Sequence, residues 1–322
     1  SAIAAGLFNP ITGKRMSKSW KAKEIFSYLF KFYKDAEELL GQKFFHPQPI
    51  YRPFISVEEQ NEWMALSEDE SIKPFIEKIL TGPSFRQVND PYGGILINHS
   101  GYLDVNTFMD SLRNFLIKAN SFHPTRFEVA SLSINDESVK YSGMSGEEVE
   151  ASSIIFCDGL ASTKNPLLHW LPVRPLKGET LTISLSEPPE AIFNRGVYVV
   201  PAQGSNSFKV GATYQPNDVT ENSTTTAKNE LEEKLKGLLN ISFQIDHQDW
   251  GIRPTTPDRR PIIGAHPLHK KVIIFNGLGT KGVSLAPYFS GVLTDWIVGK
   301  SEIPTEVNIH RFKALYSSLS SL

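Results

Sequence analysis

Hydrophobic residues recur at helical spacing over 19–40, a stretch without Gly or Pro. Ile25, Leu29 and Phe32 form one row, Phe26, Phe30 and Tyr33 the next, and Gly41 follows as a stop. A long packed helix is predicted, with a membrane-surface helix as the competing reading. From 44 to 99 the pattern is short and strand-like, with many prolines, one acidic helical patch and a Gly93-Gly94 turn. Asp104 suits the N-cap of a helix over 105–119 that carries Phe108, Leu112, Phe115 and Leu116 on one face.

Two alternating runs, 128–134 and 138–142, joined by Asn135-Asp136-Glu137, read as a β-hairpin. Ile154-Ile155-Phe156-Cys157 reads as the end of a strand buried on both faces, and Asp158-Gly159 follows at once. Residues 178–214 alternate again, with a polar turn at Gly204-Ser205-Asn206, and 227–239 is a charged amphipathic helix. Near the end, 270–275 is a strand, 276–282 (NGLGTKG) a Gly-rich loop and 285–298 a helix. Pro287 falls in that helix's first turn and Gly299 ends it. Strand-plus-helix pieces therefore interleave with antiparallel pieces. The fold class is α/β, with two domains each assembled from separate stretches.

Composition narrows the function. The 322 residues are 40% apolar and 21% charged, an ordinary globular mixture. A net charge of -2 argues against a nucleic-acid binder, which would carry a basic excess. Cys157 is the one cysteine, so neither an intrachain disulfide nor a multi-cysteine zinc site can form; it reads as a small buried residue at a strand end. The 8 histidines show no metal-ligand spacing, and no metal is assigned. Apolar runs are strand-sized, too short to span a bilayer, and the first residues lack the basic start of a secretory signal. A cytoplasmic location without membrane partners is expected.

The segment with most chemistry is VIIFNGLGTKGVSLAPYFSGVLTDWI, where Gly277, Gly279 and Gly282 lie between strand and helix. Such a loop leaves backbone N–H groups at the positive end of a helix, suited to a phosphate or to the electron-rich edge of a reduced flavin. A tight turn that needs glycine for its backbone alone is the rival reading.

Several segments, in order, tip this balance. SAIAAGLFNP, IIFCDGLAS, VRPLKGETL, VYVVP, KVGATY, WGIRPTTPDRRPIIG and GLGTKG are similar to segments of the glycine oxidase, sarcosine oxidase and D-amino-acid oxidase family of flavoenzymes. The resemblance covers most of the chain. It implies a FAD/NAD(P)-binding Rossmann-like domain over 1–43, 100–175 and 251–322, interleaved with an antiparallel-sheet (α+β) substrate domain over 44–99 and 176–250. The family's G-x-G-x-x-G unit would precede Ser1; the chain has that spacing only in GLGTKG, which is in the wrong place for it and corresponds to the ring end in relatives. A missing segment is the expectation, with weak or no FAD retention by this chain alone.

The resemblance also implies roles. Arg253 would grip a substrate carboxylate, a task suited to a planar guanidinium; the rival reading is a salt bridge with Asp249 or Asp258. Tyr198 would line the substrate pocket, or else be an ordinary sheet tyrosine. Lys281 would stabilise reduced anionic flavin, or else be a solvated lysine. Gly277, Gly279 and Gly282 would admit the ring edge, Ala4, Ala5 and Gly6 would border the flavin from the other side, and Gly159 would let backbone approach it. FAD is expected to be non-covalent. The reaction implied is hydride transfer from the α-C–H of a small amine or amino acid to flavin N5, with oxygen or another electron acceptor. A non-catalytic or incomplete flavoprotein subunit is one alternative, and oxidation of a modified tRNA nucleoside amine another.

Overall fold

A computed structural model describes the chain except for Ser1, 13–16, 144–145, 205 and 320–322, and for 317–319 it describes the backbone alone. Ser205 of the expected turn thus lies outside the described residues. The chain forms two compact units, one of 1–115, 177–215 and 220–251, the other of 116–176, 216–219 and 252–322. Residues 1–43 and 100–115 belong to the first unit because Leu7–Phe8 pairs with Gly101–Leu103, which pairs in turn with Phe45–Pro47.

In the first unit, helix α1 (Ala22–Leu40) buries Ile25, Phe26, Leu29 and Tyr33 and stops at Gly41, whose φ of 66° is left-handed. Its apolar face meets an aromatic cluster: Phe45 stacks on Phe8 at 5.1 Å and on Tyr33 at 5.3 Å. That is the packed helix the spacing predicts. Helices α2 (Val57–Leu66) and α3 (Val105–Lys118) follow, and Asp104 accepts the Thr107 N–H at 3.1 Å as the expected cap. The apolar stripe of α3 is only partly covered, with Phe115 at 38% and Ile117 at 53% exposure.

A nine-stranded sheet dominates this unit. Its central order is Arg174–Leu185, Ser207–Gly211, Val197–Pro201, Ile192–Arg195, Ile50–Pro53 and Gly94–Ile97. Alternation sorts its residues. Leu181, Ile183, Phe193, Val199 and Val210 face a core closed by Leu231, Leu235 and Leu238 of α4 (Thr225–Leu238). Thr180, Thr182, Asn194, Tyr198 and Lys209, one residue out of phase, therefore face the other way.

In the second unit, Ile154–Phe156 pairs in parallel with Val272–Asn276, which pairs antiparallel with Ile262–Ala265. Ser133–Ile134 and Val139–Ser142 form the expected hairpin, shorter than read because Val129–Ser131 is a 3₁₀ turn; Glu148–Ala151 adds a third strand. Two expectations are corrected here. Ile154–Phe156 is an edge strand, not one buried on both faces, and Ile155 is 40% exposed. Cys157 at its end is likewise exposed, not buried, since the strand is covered along one side only. Helix α5 (Gly282–Ile297) starts three residues earlier than read, because Gly282 adopts helical φ and ψ of -52° and -44°. Pro287 is consequently inside the helix rather than in its first turn.

Candidate functional site

In the second unit the Gly-rich turn is built as the sequence suggests at two of its three glycines. Gly277 (φ 75°) and Gly279 (φ 56°) are both left-handed, and a Cβ on Gly277 would lie 2.6 Å from the Thr256 methyl. A Cβ on Gly279 would come within 3.4 Å of the Thr255 methyl, and one on Gly159 (φ 58°) within 3.6 Å of Pro254. Three of the expected cofactor glycines thus surround the segment that follows Arg253. Gly282 differs: its φ is helical and a Cβ there would meet nothing closer than 3.9 Å, so no steric demand selects glycine. The α5 N-terminus has no side-chain cap and no acidic residue in its first turn, so its positive dipole end faces no carboxylate from its own first turn.

Arg253 is half-buried on the long strand Phe243–Thr255. Thr255 Oγ1 donates to the Arg174 carbonyl at 2.9 Å and Thr256 Oγ1 to the Arg260 carbonyl at 2.8 Å, which fixes the backbone just beyond it. Asp258, one of its two candidate partners, is held by Arg311 at 3.1 Å. Lys281 is half-buried, and burial, helped by the charge of Arg259, lowers its pKa from the ordinary lysine value.

Asn276, which sequence reading passed over, ties these pieces together. It is 3% exposed; its Nδ2 donates to the Gly159 carbonyl at 2.7 Å and to Ser162 Oγ at 3.1 Å, and its Oδ1 accepts the Gly277 N–H at 2.7 Å. It locks two turns at once. Beside it, burial pushes the Asp158 carboxyl above its usual range.

In the first unit, Tyr198 stands half-buried on the non-core face of the sheet, its hydroxyl over Gly211. Gly6 (φ 71°) is required by close approach, since a Cβ would collide with the Leu103 carbonyl. Next to it, Ala4 and Ala5 line a cavity of about 240 Å³ with His46, Tyr102, Thr182 and Lys209. The Tyr102 ring stacks on His46 at 4.6 Å. Lys209 Nζ donates to the Ile3 carbonyl at 3.0 Å and pairs with Asp249 at 3.7 Å. His46, Tyr102 and Lys209 were not singled out from sequence, because their convergence depends on strand pairing distant in the chain.

Among the described residues, no group of three or more His, Cys, Asp or Glu could hold a metal, and no helix is long and apolar enough to cross a membrane.

A model of the DAO family, described as FAD dependent oxidoreductase, matches residues 1–296. Glycine oxidase of Bacillus licheniformis is 35% identical over 147 residues, 44% of this chain and 38% of that protein. Glycine oxidase of Bacillus subtilis (strain 168) is 30% identical over 146 residues, 43% of this chain and 38% of that protein. The matched stretch therefore spans well under half of those relatives. In fold, iminodiacetate oxidase from Chelativorans sp. BNC1 superimposes with a TM-score of 0.76 at 19% identity, covering 95% of this chain and 88% of that one.

Proposed function

The chain belongs to the DAO family of FAD-dependent oxidoreductases, and from that premise we propose that it serves the oxidation of a small amine or amino acid at a non-covalently held FAD. The observation that carries this reading is the left-handed Gly277–Gly279 turn leading into an uncapped helix, packed on the segment just after Arg253. The residues present fit the ring end of the cofactor: a left-handed turn at Gly277 and Gly279 that leads into a helix without a side-chain cap, whose positive end would favour an electron-rich edge.

When bound, flavin supplies the hydride acceptor for the substrate α-C–H. Arg253 pairs with the substrate carboxylate through two parallel N–H donors, which fixes orientation as well as position. Tyr198 would offer its hydroxyl to a small substrate. The α5 N-terminus and Lys281 would supply positive potential beside the flavin ring; the lowered pKa of Lys281 makes its share fall off at alkaline pH sooner than an ordinary lysine's would. Ala4, Ala5 and Gly6 would present little side-chain bulk to a cofactor, and Gly159 would admit close backbone approach.

Arg253→Ala tests this. Turnover of glycine, sarcosine or D-alanine should fall at least 100-fold in kcat/KM, about 3 kcal/mol of lost transition-state binding. An amine without a carboxylate should be oxidised within a few-fold of the wild-type rate. Equal loss for both substrate types would remove the carboxylate role. A denatured, precipitated protein that keeps its flavin would overturn non-covalent attachment.

A further inference from the structure

The non-core face of the nine-stranded sheet contains a second feature beside Tyr198. Gly211 is directly opposite Thr180 on one neighbouring strand and Tyr198 on the other, so the three residues form a transverse row on one face. Gly211 is buried, and a Cβ there would lie 2.8 Å from the Tyr198 hydroxyl oxygen, 3.1 Å from the ring carbon that bears it and 2.8 Å from the Thr180 methyl. Real Cβ atoms do not approach other atoms below 3.0 Å. The φ of Gly211 is outside the left-handed region, so a left-handed backbone is not what selects glycine here. What the position uses is empty space, and the Tyr198 ring fills it.

Thr180 closes the far side of that space. It is 4% exposed, and its buried hydroxyl has no hydrogen-bond partner among the described residues. A buried hydroxyl without a partner costs free energy, so hydrogen bonding does not account for threonine here. Its methyl does touch the space above Gly211. A β-branched residue also has a restricted χ1, which keeps that methyl in place.

We propose that Gly211 is a positioning residue and that, with the Thr180 methyl, it forms a seat that holds the Tyr198 ring across the sheet and so fixes where its hydroxyl meets substrate. This rests on the reading of Tyr198 as a substrate-contacting residue. A side chain at 211 would be accommodated by the nearest movable atoms, and those are the far end of Tyr198. The expected consequence is loss of substrate affinity rather than of the chemical step.

The test uses the full chain and the best wild-type substrate among glycine, sarcosine, D-alanine and iminodiacetate. Gly211→Ala should raise KM about tenfold with kcat changed less than about threefold, the signature of lost uniform binding. Thr180→Val, which keeps the methyl and removes the unused hydroxyl, should leave the melting temperature equal or higher. Thr180→Ile, which fills the same space from the other strand, should reproduce the Gly211→Ala effect and serves if that variant does not fold. The melting-temperature loss on Gly211→Ala should shrink by at least half in a Tyr198→Ala background, where the ring is gone. An unchanged KM in Gly211→Ala and Thr180→Ile overturns the positioning role. An equal melting-temperature loss in both backgrounds overturns the seat itself. If wild-type protein oxidises none of the four compounds, the proposed substrate class and the positioning role fall together, while the melting comparison still decides the seat.

Discussion

His266 is 3% exposed, and its Nδ1 accepts the backbone N–H groups of Leu268 at 3.3 Å and His269 at 3.2 Å. The rings of Trp170 and Tyr316 flank it. Burial, reinforced by His269 and opposed by a bond to the Leu167 backbone, brings its pKa down to about 4. The native state therefore favours the neutral ring more than the unfolded chain does. Its contribution is complete above the unfolded value of about 6.5 and is lost as pH falls toward 4, by at most about 1.4 kcal/mol per pH unit. Chemical denaturation at pH 7 and pH 5 should show this loss in wild type and a flatter response in His266→Gln; parallel slopes would assign the acid sensitivity elsewhere. From sequence His266 looks like a loop histidine, because its enclosure comes from Trp170 and Tyr316, far away in the chain. The left-handed turn at Gly277 was legible for the opposite reason: it lies in a contiguous motif whose own glycines announce it.

At the scale of elements, α4 shows how a charged helix is anchored. Glu179 is 1% exposed and accepts the Thr224 N–H at 2.8 Å, the Thr224 hydroxyl at 2.9 Å and Gln248 Nε2 at 2.8 Å, with Lys177 Nζ at 3.6 Å. Thr224 in turn caps the helix by accepting the Ala227 N–H at 3.2 Å. Glu179→Ala would leave Lys177 buried beside an empty site and strand the cap, a loss of about 3–5 kcal/mol; Thr224→Ala removes the cap alone, about 1 kcal/mol. Urea unfolding followed by far-UV circular dichroism measures both, and similar losses for the two variants would contradict this ranking. Helices α1 and α4 were readable because their apolar rows repeat without interruption. The start of α5 was not, since Gly282 reads as loop until the backbone shows it helical. The exposed edge at Ile155 escaped for a related reason: four apolar residues in a row look the same whether one flank or both are covered, and pairing partners are not written in the strand.

At the scale of the whole molecule, charge separates the small-substrate reading from oxidation of a tRNA nucleoside. A protein that grips a polyphosphate backbone gains affinity from counterion release, roughly one ion for each phosphate neutralised, and needs a clustered cationic surface to do so. Here 33 Lys and Arg face 35 Asp and Glu. Many of the cations are already committed: Lys31 to Asp35, Lys234 to Glu230, Lys236 to Glu232 and Arg195 to Glu59. Long-range attraction to tRNA should therefore be weak, and what remains should be screened within about 8 Å at physiological salt. In an electrophoretic shift assay at about 150 mM salt, the protein should leave tRNA unshifted up to roughly 10 μM, below the affinity of ordinary nonspecific binders. A complex at submicromolar concentration whose affinity falls steeply as salt rises would mean that the cations are gathered where the pairings do not reveal them. That outcome would restore the nucleoside as substrate and assign Arg253 to a phosphate rather than a carboxylate.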